Sequence, residues 1–71
     1  MSLTQVLNNT NGRFTTLVVN TNRENASYCA RIISATANTV SFYDINANKT
    51  RRVSAKSVKF AKSGKLQYRN A

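Results

Sequence analysis

The sequence predicts a mainly β protein, a small barrel of five or six short strands entered through a short helix, with residues 1–71 forming one domain. Three observations carry that prediction. From Arg13 to Arg69 the chain alternates runs of β-branched and aromatic residues with polar turn segments, the pattern of extended structure rather than of helix. The turn signals recur about every 8–12 residues, and at this length a closed barrel forms more readily than two packed sheets. Proline is absent, so every backbone donor is free to join a ladder.

The helix is expected at residues 2–8. Leu3, Val6 and Leu7 share one helical face, and Ser2 with Gln5 supplies a capping box. Asn8-Asn9-Thr10-Asn11-Gly12 then ends it, since Asn and Gly accept left-handed backbone. The barrel spans residues 13–69. Arg13–Val19 reads as the first strand and residues 20–25 as a polar loop. Ser27–Ser34 follows, with Tyr28, Ala30 and Ile32 on one face and Cys29, Arg31 and Ile33 on the other. Thr39–Ile45, Thr50–Ser54 and Ser57–Ala61 are the next strands, with a turn at residues 46–49. The Ser63-Gly64 turn then returns the chain along Lys65–Arg69. In Ser57–Ala61, alternation puts Val58 and Phe60 inward and Lys59 outward; Phe14 and Phe42 also read as core, whereas Tyr28 and Tyr68 fit either environment.

Charge is the strongest functional signal. Eleven Lys and Arg face two acids, Glu24 and Asp44, for a net charge of +9. Such an excess repels itself and favours a polyanionic partner. Eight of these cations lie in residues 49–71, where no acid occurs. Lys59, Lys65 and Arg69 oppose apolar neighbours in phase, so a closing hairpin would carry a basic face suited to tracking phosphates. Tyr43, out of phase with Val40 and Phe42 and close to Arg51-Arg52, is the candidate ring for base stacking.

Catalysis is disfavoured by subtraction. The chain has no histidine, so its one thiol, Cys29, lacks an obvious activating base. Glu24 and Asp44 fall on separate elements, which argues against paired-carboxylate chemistry. Gly12 and Gly64 are isolated, giving no phosphate-cradling loop, and no zinc ligand set can be assembled, so no cofactor is expected. A single cysteine suits a reducing compartment. With neither a secretory pattern in the first dozen residues nor an apolar run of roughly 18–20 residues, the expected location is the cytoplasm. A chain this short buries only about 60% of its unfolded surface, so self-association is expected to add stability.

A short helix followed by about five strands resembles the Sm-like form of the SH3-type barrel. The spacing of Phe14-Thr15, Arg31-Ile32, Val40-Ser41-Phe42-Tyr43-Asp44, Arg52-Val53, Val58 and Gly64 is similar to that of small phage-encoded members, cyanophage proteins among them. The resemblance covers roughly residues 13–69 and implies a five-stranded barrel. Two family motifs are approximated: Tyr43-Asp44 with Asn48, late in the chain, and Ala61-Lys62-Ser63-Gly64, with a serine before the glycine. It implies RNA contacts at Asn48 and Lys62. It also implies a homo-oligomeric ring of about five to seven subunits, in which a fourth strand pairs with a neighbour's fifth. The resulting expectation is a module binding RNA or single-stranded DNA through Arg51, Arg52, Lys56, Lys59, Lys62 and Lys65, with Tyr43 stacking. The competing expectation is a phage assembly module that docks on an acidic protein without nucleic acid.

Overall fold

A computed structural model of the protein describes residues 2–22 and 24–70. Arg23, within the expected loop 20–25, and the chain ends Met1 and Ala71 lie outside the described residues. Helix α1 (Leu3–Asn8) carries the expected capping box. The Gln5 backbone N–H donates to Ser2 Oγ at 3.2 Å, and the Ser2 N–H donates to Gln5 Oε1 at 2.9 Å. Leu3, Val6 and Leu7 are buried. The chain reverses where Asn11 (φ 52°) and Gly12 (φ 76°) adopt left-handed backbone, which Asn and Gly tolerate at low cost.

Among the described residues six strands follow, matching the six extended runs of the sequence and one more than the five the resemblance implies: β1 (Thr15–Thr21), β2 (Glu24–Ala35), β3 (Thr39–Asp44), β4 (Lys49–Ser54), β5 (Val58–Ser63) and β6 (Leu66–Arg69). One 3₁₀ turn, Ala55–Ser57, joins β4 to β5. The sixth strand exists because Gly64, at φ 60°, closes a tight hairpin that pairs Ser63 with Leu66. All six form one antiparallel open sheet in the order β4-β3-β2-β1-β5-β6. β5 is therefore paired on both sides, by β1 and β6, and the edges are β4 and β6. The fourth-to-fifth pairing implied by the resemblance has no open fifth strand to use.

One face of the sheet holds the core. Leu17, Val19, Ala30, Ala35, Val40, Phe42, Val58 and Ala61 pack with Leu3 and Leu7, and Tyr28, Ile32, Val53 and Tyr68 close over them. Contributions from every strand to one cluster require the sheet to curl around it. Phe42 is fully buried, with the Tyr28 ring tilted against it at 5.4 Å; removing such a ring from water contributes about 1.5–3 kcal/mol.

Two of the three phenylalanines are not core. Phe14 is 62% exposed, one residue before β1. Phe60 is half-buried on the opposite side of the sheet from Val58. A bulge explains it: Val19 opposes Val58 while Val18 opposes Phe60, leaving Lys59 as the extra residue. One extra residue breaks the two-residue alternation, so Val58 points inward and Phe60 outward.

Candidate nucleic-acid interface

The outer face of the sheet follows from alternation and register. In β2, Ala30 is buried while Cys29 and Arg31 are exposed; in β5, Ala61 is buried and Lys62 exposed. Register lines these outward residues up. Thr16 lies between Cys29 and Lys62, with Gln67 beyond; Val18 opposes Phe60, which opposes Arg69; Arg31 opposes Tyr43; Ser41 opposes Arg52. Two guanidinium groups lie over outward rings. Arg31 Cζ is 5.0 Å from the Phe14 centroid and Arg69 Cζ is 5.7 Å from that of Phe60, both within cation–π range.

The chain's two acids are elsewhere. Glu24 opposes Thr21 at the tip of the β1–β2 hairpin. Asp44 is buried at the end of β3, in phase with inward Phe42. Its Oδ2 accepts from Arg51 Nε at 2.6 Å, and its Oδ1 accepts from the backbone N–H groups of Asn46 (3.1 Å) and Ala47 (3.2 Å). The Arg51 bond is the main influence holding the Asp44 carboxyl below its usual 3.8; the two amides and the Arg51 charge add to it, while burial opposes it. Arg51 also lies 5.2 Å from the Tyr28 centroid.

Adjacent arginines thus do different work. Arg51, opposite Phe42 and in phase with Val53, braces the β3–β4 turn; Arg52, opposite Ser41, is exposed on the outer face. Lys62 is exposed one residue before the end of β5, Lys59 is exposed at its bulge, Lys65 in the β5–β6 turn and Lys56 in the 3₁₀ turn. Tyr43 is half-buried beside Arg31, and its hydroxyl donates to Asn48 Oδ1 at 3.1 Å. Asn48 itself has φ 54°. The Tyr43, Asp44 and Asn48 side chains are therefore joined in the architecture of one turn, three strands away from Lys62 in the sheet order.

The structure adds Phe14, Arg31 and Phe60 to this surface and leaves Arg69 exposed on the hairpin face where its phase predicts it. Arg31 could have been found from its phase in the second strand. Phe60 could not, because only the bulge turns it outward. Ser63, buried in β5, donates from Oγ to the Phe14 carbonyl at 3.3 Å, which ties the exposed ring's backbone to the sheet. No pocket opens among the described residues, and none of their helices is long and apolar enough to cross a membrane. No protein-family model, curated protein or solved structure matches the chain.

Proposed function

We propose that the protein is a phage-type Sm-like module of the SH3-barrel kind that binds RNA or single-stranded DNA on the outer face of its sheet. The observation that carries this reading is a set of outward cations, Arg31, Arg52, Lys62 and Arg69, on a face that neither of the chain's acids shares. Lys59, near the start of β5, and Lys65, in the β5–β6 turn, extend it. Phosphates bound there release condensed counterions, a gain that needs no pocket. Arg51 is not among the contacts, because Asp44 holds it.

Self-association enters through the two edges. β4 and β6 differ in sequence and terminate opposite ends of the sheet, so pairing between them is heterologous, and heterologous contacts close into rings when the rotation permits. The unpaired thiol of Cys29 suits the reducing cytoplasm.

The test is direct. Purified protein is mixed with a labelled single-stranded oligonucleotide at 50 mM salt and challenged with heparin, while light scattering reads its mass. With no tryptophan and three tyrosines, the protein absorbs weakly at 280 nm, so co-purifying nucleic acid dominates the absorbance ratio. Binding displaced by heparin supports the proposal; no binding at this salt overturns it.

A further inference from the structure

We infer that Phe14 and Phe60 are two base-stacking stations on the outer face, with Lys62 between them as the phosphate contact, so that the ligand meets the sheet through unpaired bases as well as through its backbone. The inference rests on the nucleic-acid reading and specifies how that ligand is held.

Three independent placements carry it. Both rings lie on the solvent side of the sheet, Phe14 by its exposure and Phe60 by the bulge. Each has an arginine over it, Arg31 at 5.0 Å and Arg69 at 5.7 Å. Lys62 opposes Thr16, midway along β1 between Phe14 and Val18, and Val18 opposes Phe60. An exposed aromatic ring is apolar surface that water solvates poorly, and any base can cover it, since every base has a π-face. A partner protein could cover the rings too, but three cations beside them, Arg31, Lys62 and Arg69, with no acid on that face, select a polyanion.

Strand geometry gives the spacing. Four residues along β1 and one step across to β5 separate the stations by roughly 14 Å, at about 3.4 Å per residue and 4.8 Å between strands. That spans about four stacked nucleotides at about 3.4 Å each. A dinucleotide reaches one station; a chain of about five or more reaches both with a phosphate near Lys62.

The experiment compares a labelled ten-nucleotide single strand with the same backbone carrying abasic sites, by fluorescence anisotropy at 50 mM salt. Wild-type protein is compared with the Phe14→Leu/Phe60→Leu variant. Stacking predicts that wild-type affinity drops about 5- to 150-fold per engaged base on the abasic strand. The variant binds both strands alike, and the dependence on salt is unchanged because the phosphates remain. The abasic arm uses wild-type protein alone, so it does not depend on the variant folding. Equal wild-type affinity for the two strands overturns the stacking stations while leaving phosphate binding intact. Failure to bind either strand overturns the nucleic-acid reading and this inference with it.

Discussion

Arg51 and Arg52 are neighbours in sequence and opposites in structure, and replacing each with glutamine separates stability from binding. Arg52 is exposed on the outer face, opposite Ser41. A single-strand phosphate contact contributes about 0.7 to the slope of log affinity against log salt, which at 0.1 M salt corresponds to about fivefold in affinity. Arg52→Gln therefore shallows the slope by about 0.7 and weakens binding about fivefold, with an unchanged urea midpoint. Arg51 has its Nε committed to Asp44, its side chain 32% exposed against 5% for the carboxylate. Arg51→Gln leaves that buried acid with only the Asn46 and Ala47 amides, so it lowers the urea midpoint and leaves the salt slope alone. The assays are chemical unfolding followed by far-ultraviolet circular dichroism and anisotropy titrations between 50 and 200 mM salt. The reasoning is refuted if Arg51→Gln shallows the slope as much as Arg52→Gln, or if the two are equally destabilising.

Three further outcomes follow from the packing. Asp44 has a carboxyl pKa held below 3.8 in the folded chain, chiefly by Arg51. The charged form is thus the one the fold favours, so its contribution is complete above the unfolded value and lost as pH falls through the lower folded one. Urea midpoints should fall as pH drops below 3.8, and Asp44→Asn should flatten that decline; an identical acid limb in the variant contradicts this. Phe42→Ala empties the centre of the core and should cost about 3–5 kcal/mol, much of the roughly 4–11 kcal/mol a chain of this size has; a loss under about 1 kcal/mol would show that Phe42 is not the packing centre. Gly64 sits at φ 60° with open space where a Cβ would lie. Gly64→Ala should accordingly lose about 1–2 kcal/mol from backbone strain alone, and an unchanged midpoint would remove that explanation.

Local chemistry made much of the fold legible. The capping box, the three asparagines at positive φ (Asn11, Asn22 and Asn48) and the alternation in β2 and β3 are properties of adjacent residues, and adjacent residues are what a sequence displays. Phe60 shows where that reading stops. Its inward assignment assumed unbroken alternation, whereas the bulge opposite Val18 and Val19 is set by how β5 meets a strand some forty residues away. β2 runs beyond its expected start to Glu24, because register with β1 extends pairing through polar residues that carry no β signal. Arg51 and Arg52 form one basic pair in the sequence, but alternation separates them: Arg51 shares phase with Val53 on the core side and pairs with Asp44, whereas Arg52 faces outward. Phe14 departs from its expected core place for a different reason: it precedes β1 by one residue, out of phase with buried Thr15, so its ring faces solvent.

The most direct test of phosphate binding on the outer face is the salt dependence of affinity for a short single strand, measured by anisotropy from 50 to 200 mM. If about five of Arg31, Arg52, Lys59, Lys62, Lys65 and Arg69 engage phosphate, the log–log slope is about −3.5 and affinity falls about 100-fold across that range. Absence of binding at 50 mM, or binding with a slope near zero, would contradict it.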